Sequence, residues 1–483
     1  MKEKQLIFAL ITFSALSLTA CVTVGPDYSP PALAVPASWN RLENSARPIA
    51  HDAASDELSQ WWRNLNDSLL SELVNEALQA SPDLRGAQAK LRESRARLAV
   101  AASGRFPEVT ASVSASRSQS SEDTGSGNAR EMFIAGFDAS WELDVFGRVR
   151  RGIEAAGADL ESSVASLHDT QVTLVAEVVR NYVEARSLQI RLGIARDNLA
   201  SQSETLQLTE WRAQAGLVSS QDVEQARSSR EQTRAQIPSL ETSLAEAEHR
   251  LDILLGKAPG SLHARLAAAG GLPNLPEKIA VGIPAETLRQ RPDIRAAERT
   301  LAAETARVGV AEAARYPSFT LSGAIGLEAL TLSALANSGS ATYSLLSGIT
   351  APIFNTGRLR NQVKIQDAVR EQAQVAYEKT VLNALQDVEN ALVSLARNRE
   401  RSEALEKAVE SARNAEQLAL QRYSSGLIDF QSVLTTQRTV LTVEESLASS
   451  HADGVLALIS LYKSLGGGWS PQTDSIPAGK DTL

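Results

Sequence analysis

The chain repeats itself. Blocks spaced 210 positions apart match in the same order along its length: Ser81-Pro82-Asp83-Leu84-Arg85 with Arg291-Pro292-Asp293-Ile294-Arg295, GRFPEVTAS from Gly104 with ARYPSFTLS from Ala314, Gly147-Arg148 with Gly357-Arg358, Gly216 with Gly426, and Leu255-Gly256 with Leu465-Gly466. One constant offset that organises most of a chain means that one supersecondary unit has been built twice. The copies span residues 81–256 and 291–466. Between them, residues 257–290 carry Pro259, Pro273, Pro276 and Pro284 and read as a connector. Ahead of the first copy lie a Pro-rich extended lead and a short helix near Glu57 to Ala80, within a segment 21–80. Residues 467–483 form a tail.

Each copy has the same internal order. A helix runs from Pro82 to Gly104, or from Pro292 to Ala314, and stops where Pro107 or Pro317 discourages helix in the residue before it. Two strand-like segments follow, within 108–145 and 318–354. Their side chains alternate. Phe133, Ala135, Phe137, Ala139, Trp141 and Leu143 share one face, while Gly136, Asp138, Ser140, Glu142 and Asp144 share the other, with Ile134 as the exception. Phe319, Leu321, Ile325 and Leu327 likewise oppose Thr320, Ser322 and Glu328. Period-two alternation over about ten residues is the pattern of an outer-membrane strand, and a half-buried soluble sheet shares it. Next come two long helices of equal length, Arg148 to Gly216 and Arg358 to Gly426, each able to reach ~100 Å. Leu160, Leu167 and Leu174, then Val178, Ala185, Leu192, Leu199 and Leu206, repeat by sevens, as a coiled-coil seam requires. Leu385, Val388, Leu392 and Leu395 mark the second seam. The returning helix from Ser220 to Gly256 is shorter, and Pro238 within it predicts a bend.

Gly216 and Gly426 therefore predict helix-to-helix turns, since glycine takes the left-handed conformation at a helix end without steric cost. Ser219 or Ser220, and Asp429, are candidate caps for the helices that follow. Four strands cannot close a barrel, because the smallest membrane barrels have about eight. Two copies would supply eight strands and three would supply twelve, so the wall must be shared between chains.

The amino terminus has its own logic. Lys2 and Lys4 precede an apolar run from Leu6 to Leu18, too short and wrongly flanked for a spanning helix, so residues 1–20 read as a secretory signal. Leu18-Thr19-Ala20-Cys21 resembles a lipobox, which implies cleavage before Cys21 and a lipid on that residue, the only cysteine of the chain. Val22, rather than an aspartate, points to the outer membrane. No later segment offers the ~18 apolar residues of a spanning helix. The net charge of −9 argues against nucleic acid as a partner. No nucleophile elbow, phosphate loop or zinc motif is present, so the sequence implies neither an enzyme nor a metal centre, and no cofactor beyond the lipid.

The stretches LTACVTVGPDYSPP, Trp61-Trp62, RQRPDIRAAE, WELDVFGRVRR, LLGKAPG, QRYSSG and LYKSLGGGW resemble the outer-membrane factors of tripartite efflux systems, in the lipoprotein branch of the TolC superfamily, over the mature chain to about Trp469. The resemblance implies an α+β membrane protein: a homotrimer with a twelve-stranded β-barrel in the outer membrane, continued by a twelve-helix coiled-coil α-barrel in the periplasm. It also implies a passive exit duct for drugs or other small molecules, joined to a periplasmic adaptor and an inner-membrane pump of the resistance–nodulation–division type. A protein-secretion or heavy-metal outlet, or a periplasmic scaffold lipoprotein, are the alternatives. By the same resemblance, Gly216-Leu217-Val218 and Gly426-Leu427-Ile428 are the adaptor-docking tips. Tyr423 and Arg438 belong to the gate, and Thr435 stands where the family commonly has an aspartate. Asp222 and Asp429 are candidate partners for Arg438. Asp138, Glu142, Asp144 and Glu328 would face the lumen and favour cations.

Overall fold

A computed structural model describes residues 23–32, 35–39, 49–50, 58–124, 127–268, 270–274, 276, 279–280 and 284–469; Cys21, the signal segment and residues 470–483 lie outside them. In chain order the elements are β1 (Ile49–Ala50), a 3-10 turn (Trp61–Leu65), α1 (Ser68–Ala80), α2 (Pro82–Ser103), β2 (Glu108–Gln119), β3 (Ala129–Leu143), α3 (Arg148–Gln214), α4 (Ser220–Leu254), α5 (His263–Leu266), β4 (Ile279–Ala280), α6 (Pro284–Gln290), α7 (Pro292–Ala313), β5 (Ser318–Ala329), β6 (Ala341–Thr350), α8 (Arg358–Ser424) and α9 (Phe430–Ser464), with two further 3-10 turns between β5 and β6. The two long helices each hold 67 residues and the two returning helices 35.

Three expectations change. The segment before the first copy is not one helix: Asn66 takes a left-handed conformation (φ 53°), and Asp67 caps a new helix by accepting from the Leu70 amide at 3.0 Å. The last strand stops at Thr350 instead of running to Phe354, because Pro352 has no amide to give a ladder. Asp144 lies one residue beyond β3, so the alternation does not place it on a strand face. The helix that contains Pro238 runs unbroken from Ser220 to Leu254.

The chain divides into two compact units. The first contains the four-stranded antiparallel sheet, in the order β2-β3-β5-β6, with the helix segments that adjoin it. Its amino-terminal strap is held tightly. The Val24 amide donates to the Phe146 carbonyl at 3.2 Å, and the buried Arg151 guanidinium donates to the Val24 and Gly25 carbonyls and to Asp27 at 2.6 Å. Gly25 passes Gly309 so closely that a Cβ there would lie 2.4 Å from the Gly309 Cα. Arg307 to Asp159, at 2.5 Å, ties α7 to α3 in the same unit.

The second unit holds the larger apolar core. Trp61 is fully buried and stacks on Tyr462 with ring centroids 5.0 Å apart, among Leu65, Leu70, Leu73, Leu251, Leu255 and Leu458. The start of the connector is folded onto the end of α4 by Asp252. Its carboxylate accepts from the Gly260 amide at 2.6 Å, the Ser261 hydroxyl at 2.6 Å and the Leu262 amide at 3.0 Å. A buried carboxylate is tolerated when donors satisfy it in this way.

Candidate functional site: a two-faced wall and two helical turns

The strand register sorts the sheet into two surfaces. Directly paired residues share a face. Phe137 pairs with Ile325, and Ile325 with Tyr343; Ala139 pairs with Gly323, and Gly323 with Leu345; Leu143 pairs with Phe319, and Phe319 with Ile349. On the other face Thr110 meets Asp138, Asp138 meets Ala324, and Ala324 meets Ser344. Ile134 falls on this polar face between Ser114 and Glu328, and Leu346 joins it beside Ser322. The apolar face is bare in the single chain: Tyr343 is 89% exposed, Val113 86% and Leu345 78%. So extended an apolar surface marks a contact with lipid or protein. Among the described residues the outer edges of β2 and β6 have no partner strand, and in a bilayer such edges must be closed.

The four acids expected in the lumen separate into two kinds. Asp138 lies on the polar face and accepts from the Ser112 hydroxyl at 3.0 Å, and Glu328 lies opposite Ile134 on the same face. Glu142 is occupied by the Arg148 guanidinium, with Nε donating at 2.8 Å. Asp144 receives the Val149 and Arg150 amides at 3.0 and 2.9 Å and pairs with the Arg150 side chain at 3.2 Å. It is a helix cap, and its charge is spent on the positive end of α3.

Both glycine turns have one geometry. Gly216 and Gly426 have φ of 74° and 73°, and in each turn two amides return to the last carbonyls of the long helix: Gly216 to Ala213 and Leu217 to Arg212, Gly426 to Tyr423 and Leu427 to Arg422, all at 2.9 Å. This is the Schellman closure. Ser219 then caps α4 in a reciprocal box with Asp222, while Asp429 caps α9 by accepting from the Ser432 amide at 3.0 Å. The Ser432 hydrogen bonds hold the Asp429 carboxyl below its ordinary range. Leu217 and Leu427 stand 68% and 74% exposed beside the glycines, with Val218 and Ile428 half-buried beneath.

The expected gate residues are not brought together. Arg438 is exposed and makes no ion pair among the described residues; Asp222 and Asp429, its expected partners, are engaged as caps. Thr435 donates to the Gln431 carbonyl of its own helix at 2.8 Å. Tyr423 is only 1% exposed and belongs to the core beneath the turns, with Leu206, Phe430, Val433 and Leu434. What holds it was not singled out in the sequence: Arg212, from the other turn, lies over its ring. Farther along, the buried Gln437 donates to the Thr205 hydroxyl at 3.0 Å, joining α9 to α3.

The description "Outer membrane efflux protein" belongs to the family model that matches residues 73–257 and 283–467, one match on each copy of the repeat. The chain belongs to the outer membrane efflux protein family. It is 32% identical over 466 residues to Nodulation protein T of Rhizobium leguminosarum bv. trifolii, covering 95% of this chain and 97% of that protein. It is 34% identical over 469 residues to the pyoverdine export outer membrane protein OpmQ of Pseudomonas putida, with 95% and 97% covered. Among solved structures, the outer-membrane channel OprN superposes with a TM-score of 0.86 at 36% identity, over 93% of this chain and all of that one. As a member of this family the protein is an outer-membrane channel, the outer component of an efflux system that extends into the periplasm. Three copies form one β-barrel continued by an α-barrel, and this closes the open edges of β2 and β6.

Proposed function

We propose that this exit duct serves an inner-membrane pump of the resistance–nodulation–division type through a periplasmic adaptor that seats on the two glycine turns, and that its cargo is a small molecule. The observation that carries the docking is the pair of leucines, Leu217 and Leu427, exposed at matching positions beside left-handed glycines. Among the described residues, none beyond the two neighbours of Gly216 in the chain comes within 4 Å of a Cβ placed there, so a partner helix can approach the backbone closely. Export of pyoverdine, in the name of one relative, supports small-molecule cargo. An acyl chain on Cys21 would anchor the base of the sheet, because Thr23, two residues later, packs on Gly147 at the start of α3. Of the four expected lumen acids, Asp138 and Glu328 carry the cation preference, since Glu142 and Asp144 are matched by arginines. The docking is tested by Gly216→Trp combined with Gly426→Trp, scored by cross-linking to the adaptor and by efflux in cells. Loss of both is expected; a double variant that cross-links and exports like the parent refutes the docking.

A further inference from the structure

The two long helices start at equivalent points of the repeat, yet their charges are matched differently. In copy one each arginine there has an acid. Arg148 donates to Glu142 through Nε at 2.8 Å, Arg150 pairs with Asp144 at 3.2 Å, and Arg151 pairs with Glu154 at 2.8 Å and Asp27 at 2.6 Å. In copy two Arg148 and Arg150 recur as Arg358 and Arg360, but the positions of Glu142, Asp144 and Glu154 are held by Pro352, Phe354 and Lys364. Arg358, Arg360 and Lys364 are exposed and make no ion pair among the described residues. The first turn of α8 holds no acid, and the first acid along it, Asp367, is paired with Arg370 at 2.9 Å. Three cations thus gather near the positive end of a helix, where their charge is disfavoured unless an anion joins them.

Their surroundings place them at the boundary of the bilayer. Ile353 and Phe354, just ahead of α8, are 91% and 87% exposed, and they continue from Ile349, which lies on the row Leu143–Phe319–Ile349 of the apolar face. Phe146 stacks on Tyr316 with ring centroids 4.7 Å apart and lies 6.4 Å from Phe319, so an aromatic cluster stands at the base of that face. Aromatic girdles mark the membrane–water boundaries of a barrel. The edge that closes against β6 brings no acid to this face. Antiparallel closure sets the base of β2 in one copy beside the base of β6 in the next, and β2 is preceded by Arg105, which is exposed and makes no ion pair among the described residues. Glu108, at the start of β2, is on the polar row with Ser140.

We infer that Arg358, Arg360 and Lys364 form a site for an anionic phospholipid of the leaflet that faces the periplasm. Its phosphodiester headgroup lies among the three cations, at the seam between copies, and its acyl chains lie along Ile349, Ile353 and Phe354. Basic side chains at a membrane surface attract anionic lipid roughly in proportion to their number. A zwitterionic headgroup carries its own cation and gains less from the same site.

The test titrates purified, delipidated full-length trimers with dioleoyl phosphatidylglycerol or dioleoyl phosphatidylethanolamine. Bound lipid is counted by native mass spectrometry, and the thermal midpoint of the trimer is measured in parallel. The parent should bind phosphatidylglycerol at least about tenfold more tightly than phosphatidylethanolamine, and its midpoint should rise more with the former. Arg358→Gln, Arg360→Gln and Lys364→Gln combined should weaken phosphatidylglycerol binding roughly a hundredfold, the joint effect of three surface cations, and leave phosphatidylethanolamine binding near the parent's. Arg397→Gln, Arg399→Gln and Lys407→Gln, which remove the same charge farther along the same helix, should bind like the parent. Equal affinity of the parent for the two lipids overturns the site, as does retained phosphatidylglycerol binding in the first triple variant or an equal loss in the second. Without lipid the first triple variant should be no less stable than the parent, because its unmatched cations are gone. A lowered midpoint there would mean that the cations pair with the next copy, and it overturns the lipid site. Should the triple variant yield no trimers, Lys364→Gln alone should weaken phosphatidylglycerol binding about fivefold, and an unchanged affinity refutes the inference.

Discussion

The register of the sheet assigns lipid to one face, and a charge placed on each face in turn tests that assignment. Ile325 is near the middle of β5, on the row Phe137–Ile325–Tyr343, and is 65% exposed in the single chain. Its neighbour Ala324 lies on the row Asp138–Ala324–Ser344 of the other face. An arginine on the lipid face near the bilayer midplane costs about 2–4 kcal/mol. That is roughly a 30- to 700-fold loss in the folding equilibrium of each chain, and the trimer incurs it three times. An arginine at 324 would stand among Asp138, Ser344 and water, with no such penalty. The assay is refolding of purified chains into lipid vesicles across a urea series, with the unboiled trimer band and its midpoint as readouts, and recovery from outer-membrane fractions as the cellular counterpart. Ile325→Arg should lower the midpoint and reduce the trimer, while Ala324→Arg should refold close to the parent. If Ala324→Arg proves the more damaging of the two, the faces are reversed, and with them the placing of Asp138 and Glu328 toward the lumen.

Two further outcomes follow from the charges. Asp138→Asn with Glu328→Gln should lower the cation-to-anion permeability ratio in bilayer recordings, whereas Glu142→Gln should change it less because Arg148 already neutralises Glu142; equal effects would refute the distinction. Glu416, on α8, has its carboxyl pushed up by burial and by the nearby Glu444, against the opposing pull of Gln437 and Arg413. A carboxyl raised in the folded state contributes stability that is complete below its unfolded value and lost as pH rises through the folded one. Glu416→Gln should therefore raise the thermal midpoint at neutral pH and lose that advantage in acid; a midpoint lowered at neutral pH would show the carboxylate to be favourable.

Much of the molecule was legible because its signals are local and doubled. The left-handed glycines announce the turns, the prolines at 107 and 317 end the helices, and the alternation of Phe133 to Leu143 gives the strand faces two copies of the same message. The misreadings come from places where two local rules compete. Asp144 continues the polar side of an alternation and is also five residues ahead of an amide that needs a cap; the cap prevails, because a carboxylate at a helix start satisfies two amides at once. Asp429 caps α9 as its position in the sequence predicts, and Asp222 completes the box of Ser219; both accept from donors three residues away, so neither carboxylate is left unengaged within the chain. The Arg212–Tyr423 contact could not be read at all. Its two residues are 211 positions apart, and the repeat suggests that Arg212 and Arg422 are alike. Only packing reveals that one of them has a ring to hold.

The distribution of burial also orders assembly. In the second unit Trp61, Leu70, Leu251, Leu255 and Leu458 are buried by the chain alone, so that part has its core before any copy joins it. The sheet has nothing comparable. Every residue of β2 is exposed in the single chain, and β6 shields only Gly348 in part. A four-stranded sheet with two open edges and one bare apolar face has neither its hydrogen bonds nor its hydrophobic contacts complete, and both are supplied together when three copies close in a bilayer. On α8 the seam at Val388 and Leu392 is buried by the chain, but Ile365 and Val375 (57% exposed) and Leu382 (66%) are left as bare as the sheet. Stability of the sheet is therefore a property of the trimer in lipid, whereas stability of the Trp61 core belongs to the chain. A substitution in the wall should change how many trimers form, and one beside Trp61 should change how many chains fold.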